Sequence, residues 1–370
     1  MLILAALALG VLIYTYAGYP VLITLLARLF PMRVAADASY EPSVSVCMTV
    51  YNGAAFIERK IDSLLAMDWP SDKLEILVYS DGSSDTTDEI VEAIGLRDPR
   101  VKLVRAEERA GKPTGLNRLA ELAVGEVLFL TDVRQPVSRN ALRAMVSRLA
   151  DPRVGMVSGN LVLEGKAGSG VYWRYEKFIR RQEGLFRSLV GVSGSITALR
   201  KADFEPLPAD TVLDDMWIPM RLRLDGRRIV FAPEAEAHDV AFDDDREFSR
   251  KVRTLAGNYQ ILAAMPGLLS PFHNPSWFET VSHKVLRLVC PWALLLLLAS
   301  AWRAAQSEPS QLARAIGAAL LGGQGLFYFA ALVGARAGRI GSLARTFVVM
   351  NTAAMLGLWR FLAGRQRITW

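Results

Sequence analysis

The chain has 370 residues, of which 52% are hydrophobic and 22% charged, with a mean hydropathy of +0.23. That length holds one large domain or two medium ones, and an apolar excess beside so many charges must be concentrated in segments. The net charge of +6 comes without a dense Lys/Arg run, so nothing here tracks a nucleic-acid backbone, and two cysteines (Cys47, Cys290) exclude a disulfide framework.

In chain order the first segment is apolar. No charged side chain occurs from Met1 to Ala27, and a bilayer-spanning helix needs only about 20 such residues. The segment lacks the basic start of a signal peptide. Residues 1–31 are therefore expected to form a membrane anchor, and 32–42 a linker. Arg28 and Arg33 follow the apolar run, and the positive-inside trend puts that end, with the region after it, in the cytoplasm.

Strands are expected at Val44–Val50, Leu74–Tyr79, Val101–Val104 and Val127–Leu130. Helical stretches separate them at Ala54–Met67, from Asp85 to about Arg97, and at Thr114–Ala123; a further helix covers Ser138–Leu149. Such alternation predicts an α/β domain with a mainly parallel sheet, which binds ligands beyond the carboxyl ends of its strands. Polar residues stand at those ends: Asn52, Asp81 and Asp132. Residues 171–189 are amphipathic, basic and aromatic. Residues 255–284 are apolar but broken by Pro266, Pro271 and Pro275, as suits segments along a membrane interface. Further apolar blocks, at Leu288–Trp302, Ala315–Ala335 and Thr346–Trp359, predict two or three C-terminal spans within 285–370.

Several polar clusters have the composition of a site. SDGSSDTTDEI (80–90) opens a helix straight after a strand, where Asp81 can accept from a base N–H or a ribose hydroxyl; an acidic turn with a helix cap is the plainer alternative. Asp132 is placed to hold a divalent cation against phosphates. Gly191–Ser195 is a small-residue loop. Asp214 and Asp215 are adjacent acids that resist joint ionisation, so one can serve as a base; a capped helix start is the alternative. Arg246, Arg250 and Arg253 would share a helix face and clamp a diphosphate, or face headgroups.

Taken in order, residues 43–253 resemble the family 2 glycosyltransferases of GT-A fold, above all the membrane-embedded synthases of cellulose, hyaluronan, chitin and poly-N-acetylglucosamine. PSVSVCMTVYN (42–52) is similar to the opening strand and its YN turn, carried by Tyr51 and Asn52. SDGSSD (80–85) resembles the nucleotide motif, and GKPTGLN (111–117) the GK-x-x-ALN signature through Lys112 and Asn117. FLTDVRQ (129–135) takes the place of the DxD metal motif, GVSGS (191–195) that of the loop under the acceptor sugar. LDDMWIPMRL (213–222) resembles the motif whose final acid is the general base, and RKVRT (250–254) stands where QxxRW is found.

The resemblance implies a GT-A domain over 43–254. Asp215, beside Asp214, would be the catalytic base. Tyr51, Asn52, Asp81, Lys112, Asn117, Asp132, Arg250 and Arg253 would hold the nucleotide sugar, in the first instance a UDP-sugar. Gly194 and Ser195 would lie under the acceptor. A divalent cation, Mg2+ or Mn2+, would sit on Asp132, with a lipid or glycan acceptor at the membrane face. Three departures stand out: Arg134 replaces the second acid of DxD, with His238 and Gln135 the candidates to complete the site, while Arg250 and Thr254 replace the Gln and Trp of QxxRW. The expected activity is inverting sugar transfer in the cell membrane, giving a β-linked polysaccharide or, alternatively, a single added sugar; an inactive scaffold keeping the same fold is the remaining alternative.

Overall fold

The computed structural model describes residues 1–164, 170–240 and 244–364; the side chains of 170, 171 and 244–247 lie outside that description, Arg246 among them, as do Arg365 and Arg367. In chain order the helices are α1 (Leu2–Ile13), α2 (Tyr19–Leu29), α3 (Ala54–Leu65), α4 (Thr87–Arg97), α5 (Lys112–Leu122), α6 (Ala141–Leu149), α7 (Gly170–Phe186), α8 (Asp214–Leu224), α9 (Asp244–Ala264), α10 (Trp277–Thr280), α11 (Leu286–Ser307), α12 (Gln311–Val333) and α13 (Gly338–Leu362). Seven strands form one sheet: β1 (Val44–Val50), β2 (Leu74–Asp81), β3 (Val101–Ala106), β4 (Val127–Asp132), β5 (Val154–Glu164), β6 (Ile196–Arg200) and β7 (Arg228–Val240).

The strand order is β3-β2-β1-β4-β6-β5-β7. The four strands legible in the sequence make the parallel half, and β7 runs parallel to β5. β6 is antiparallel to both its neighbours, which makes the sheet mixed and mostly parallel. β1 and β2 are buried along their whole length, as continuous apolar strands covered on both faces should be. Side chains alternate between two cores. Val44, Val46, Met48 and Val50 pack with Ile57, Ile61 and Leu64 of α3 and with α6; Cys47 and Leu77 face Leu116 and Leu119 of α5 and Leu222 of α8.

The register brings the polar ends together. Val50 pairs with Ser80 and Thr49 with Asp132, so the chain leaves β1, β2 and β4 at one edge. Because β6 is antiparallel, Ile196 pairs with Thr131, and the loop before β6 arrives at that same edge.

Among the described residues, three apolar helical runs are long enough to cross a membrane: Leu2–Leu29, Trp277–Ser307 and Gln311–Leu362. The last is broken near Gly334 and Gly338 into α12 and α13, which pack together. Residues 255–264 continue α9, so that helix runs through residue 254, where the sequence reading puts a boundary. Its Val252 and Leu255 pack with Leu288, Ala353 and Ala354, tying the α/β domain to the apolar helices.

Candidate active site

β1 ends in a turn knitted to the turn after β2. Asn52 has φ 50°, a left-handed conformation that asparagine tolerates. Its amide N–H donates to Ser83 Oγ at 3.1 Å and its Oδ1 accepts from Ser84 N at 2.8 Å. Asp85 accepts from Ala54 N and Thr87 N at 3.1 Å, so it bridges two turns as well as opening α4. Asp81 is fully buried and accepts from Ala110 N at 2.7 Å and Gly111 N at 3.1 Å. Gly111 has φ 84° and lets the chain turn there into α5. The guanidinium of Arg109 lies 3.6 Å from the centre of the Tyr51 ring, a stacked cation beside the expected nucleoside position that sequence reasoning did not single out.

Lys112 opens α5 and reaches across the edge of the sheet. Its Nζ donates to Asp132 Oδ1 at 2.8 Å and to Asp214 Oδ2 at 2.9 Å. Burial alone would lower the pKa of Lys112, but the two carboxylates outweigh it and hold the ammonium well above its usual range. Asp215, next along α8, behaves oppositely. Burial, then the neighbouring charge of Asp214, push its carboxyl up to about 6, against the opposing pull of Lys112.

The loop before β6 closes the site. A Cβ on Gly194 would stand 3.5 Å from Asp215 Oδ2 and 3.7 Å from Asp132 Oδ2, so the bare backbone passes between the two acids. Ser195 is buried and shares a 2.7 Å hydrogen bond with Ser193. Thr131 donates to the Ser195 carbonyl at 2.6 Å and accepts from Lys60 Nζ at 2.6 Å. Lys60, fully buried behind Asp132, has its pKa pulled down to about 7 by burial, with the charge of Asp132 opposing.

The remaining candidates sit apart from this cluster. Asn117 exchanges two 2.8 Å hydrogen bonds with the Leu207 backbone and fastens α5 to that loop. Arg253 donates to the Val212 carbonyl at 3.4 Å, just upstream of Asp214, and Arg250 is exposed on α9. Arg134 pairs with Asp239 of β7 at 2.9 Å, and Gln135 Nε2 donates to the other Asp239 oxygen at 2.6 Å. His238 lies between Glu164 and Glu236, at 3.3 and 3.5 Å. Gln135 and His238 thus have carboxylate partners of their own and are not joined to Asp132. Among the described residues, no group of three or more His, Cys, Asp or Glu side chains is arranged to hold a metal ion. A hard cation carried in on phosphates needs only one or two carboxylates, and Asp132 fits, since its Oδ2 accepts no hydrogen bond among the described residues.

The model of glycosyl transferase family 2 matches residues 45–207, from β1 to the loop that Asn117 holds. Those residues form a family 2 glycosyl transferase domain. The chain is similar to a beta-monoglucosyldiacylglycerol synthase of Synechocystis, 24% identical over 207 residues that cover 52% of this chain and 43% of that protein. It is also similar to a poly-beta-1,6-N-acetyl-D-glucosamine synthase of Staphylococcus aureus, 27% identical over 202 residues covering 52% and 48%. The chain thus spans less than half the length of these two relatives. A mannosyltransferase of Pyrobaculum calidifontis, solved with GDP-Man and Mn2+, superposes with a TM-score of 0.76 at 26% identity, covering 98% of this chain and 99% of that one. The fold is GT-A-like, and the match to the glycosyl transferase family lies in residues 45–207.

Proposed function

We propose that this transferase is a multi-pass membrane enzyme that moves a sugar, with inversion, from a nucleotide sugar to a membrane-associated glycan or lipid. The supporting observation is the division of labour between adjacent acids. Asp214 is held by Lys112, while Asp215 is pushed up to about 6 beside the bare backbone of Gly194. A carboxylate of that basicity is matched to taking a proton near neutral pH.

In the proposed step the acceptor oxygen attacks the anomeric carbon opposite the leaving phosphate. The new C–O bond forms as the bond to phosphate breaks, the hydroxyl proton passes to Asp215, and nucleoside diphosphate departs. A single displacement converts an α-linked donor into a β-linkage. Lys112 positions Asp132 and Asp214 and supplies fixed positive charge where the diphosphate leaves. Tyr51, Arg109, Asn52 and Asp81 frame the nucleoside; Arg250 and Arg253 add charge from α9. A divalent cation bound at Asp132 would supply further positive charge to the leaving group. The apolar helices cross the membrane, with Arg28 and Arg33 keeping the α/β domain in the cytoplasm.

The test uses the full chain in nanodiscs with a panel of nucleotide sugars, membrane lipid extract, and Mn2+, Mg2+ or EDTA. Release of nucleoside diphosphate from one donor, lost in Asp215→Asn, is expected. Absence of release from every donor, with the protein folded, would overturn the reading. A product ladder identifies polymer synthesis; one added sugar identifies single transfer.

A further inference from the structure

Thr131 and Asp132 close β4, and successive side chains of a strand point to opposite faces of its sheet. Phe129 packs with Ile57 and Ile61 of α3, and Leu130 with Leu116 and Leu119 of α5, so Thr131 faces α3 and Asp132 faces α5. A lysine meets each of them. Lys112 reaches Asp132 from α5 at 2.8 Å, and Lys60 reaches Thr131 Oγ1 from α3 at 2.6 Å. The same Lys60 Nζ donates to the Gln135 carbonyl at 2.5 Å, in the turn beyond Asp132. Lys60 is fully buried, as lysine almost never is without a charged partner, and among the described residues no carboxylate lies within 4.0 Å of its Nζ. Its two hydrogen bonds go to neutral oxygens on the strand that carries the candidate cation ligand.

The direction of these bonds is fixed by their chemistry. The Ser195 carbonyl can only accept, so the Thr131 hydroxyl gives it its one proton, at 2.6 Å, and takes the Lys60 N–H on a lone pair. The chain from Lys60 through Thr131 to Ser195 therefore crosses from α3, past β4, to the loop before β6. It acts where the backbone ladder stops, because Thr131 with Ile196 is the last pair of β4 and β6. At its other end the loop is tied to the expected base: the Val192 N–H donates to the Asp215 carbonyl at 3.3 Å. Gly194 lies between these two ties, with Asp215 Oδ2 and Asp132 Oδ2 on either side of it. Without Lys60 the Thr131 hydroxyl would be free to turn, and the Gln135 carbonyl would lose its buried donor.

We propose that Lys60 is a positioning residue for sugar transfer, setting through Thr131 and the Gln135 carbonyl the distance between Asp132 and the Gly194–Ser195 loop beside Asp215. The inference rests on the transferase reading and adds to it a residue that acts from the far face of the sheet. Lys112 holds the Asp132 carboxylate, and Lys60 holds the chain on either side of that carboxylate. A displacement of about 1 Å between reacting groups can cost on the order of 10²-fold in rate, even when its origin is remote from the chemistry. Asp239 fixes the same exit turn through Arg134 and Gln135 but does not reach the loop. Loss of Lys60 should accordingly fall on kcat, where loss of Asp239 falls on donor binding.

The experiment measures kcat, KM for the nucleotide sugar and backbone amide exchange, using the full chain in nanodiscs and the sugar nucleotide that wild type turns over. Lys60→Met fills the same space without an N–H. It should lower kcat at least about tenfold, change KM by less than about threefold, and speed amide exchange across residues 191–196. Thr131→Val cuts the same link without altering any charge and should reproduce these effects. Thr131→Ser keeps the hydroxyl and should restore wild-type values. The double variant should fall no further than Lys60→Met alone, since both substitutions act on one link. Wild-type kcat in Lys60→Met or Thr131→Val would overturn the proposal, as would losses that multiply in the double variant, or Thr131→Ser as slow as Thr131→Val. If Lys60→Met does not fold, the Thr131 pair decides by the same outcomes. Amide exchange is read without turnover, so failure of the transferase reading, seen as no release from any donor, stays distinct from failure of this one, seen as loop exchange that no variant changes.

Discussion

Lys112 Nζ stands 2.9 Å from Asp214 Oδ2, one residue before Asp215. That contact gives two adjacent acids different surroundings. Asp214 becomes the counter-ion of a buried ammonium, and Asp215 is left without such a partner in surroundings that favour its protonated form.

Activity should therefore rise with pH through about 6, as Asp215 loses its proton. Asp215→Asn should cut turnover on the order of 10²–10⁴-fold while leaving donor affinity unchanged. Stability should move the other way. Burial and Asp214 push the folded carboxyl up to about 6 from its ordinary 3.8, so the native state binds the extra proton in that window and stability falls as pH rises through it. Thermal unfolding at about pH 4 and about pH 8, in wild type and Asp215→Asn, measures the difference. A pH profile without an ionisation near 6 would remove Asp215 from the role of base.

Lys112→Met removes the charge that lowers the pKa of Asp215. The acid limb of the pH–rate profile should shift upward, and turnover should fall on the order of 10²-fold, because fixed positive charge is lost at the leaving diphosphate. Lys112→Arg keeps the charge and should restore the position of the limb. A limb that stays put in Lys112→Met would mean the ammonium does not govern the base.

Gly194→Ala tests space rather than charge. The new methyl would meet Asp215 and Asp132 at 3.5–3.7 Å, ordinary contact distances, so the protein should fold with an unchanged melting temperature. The methyl would nevertheless occupy the gap between base and candidate cation ligand. Turnover should fall at least about tenfold, since small displacements at a reacting centre are costly. Full activity in Gly194→Ala would mean the reacting groups do not meet there.

The parallel half of the sheet was legible because β1, β2 and β4 are short apolar runs ending in Asn52, Asp81 and Asp132. β5, β6 and β7 were not. Gly155, Gly159, Asn160 and Glu236 interrupt their patterns, and β6 follows a loop of small residues whose importance is clear only once the antiparallel pairing carries Gly194 to Asp132. The family resemblance singled out Asp215 of the adjacent acids, but composition and spacing alone do not, because their different surroundings depend on a lysine about 100 residues upstream.

Asp239 carries the last prediction. Only 8% exposed, it receives Arg134 at 2.9 Å, Gln135 at 2.6 Å and the Val240 amide at 2.8 Å. It thereby anchors the chain just after Asp132, where Lys60 also holds the Gln135 carbonyl at 2.5 Å. Asp239→Ala strands the buried Gln135 amide and should cost about 1–3 kcal/mol, read as a lower melting temperature. Asp239→Asn keeps an acceptor for Gln135 and should cost less. Because the anchored segment follows Asp132, KM for the donor should rise in Asp239→Ala more than kcat falls. If Asn and Ala are equally harmless, Arg134 and Gln135 have other adequate partners and Asp239 does not position the β4 exit.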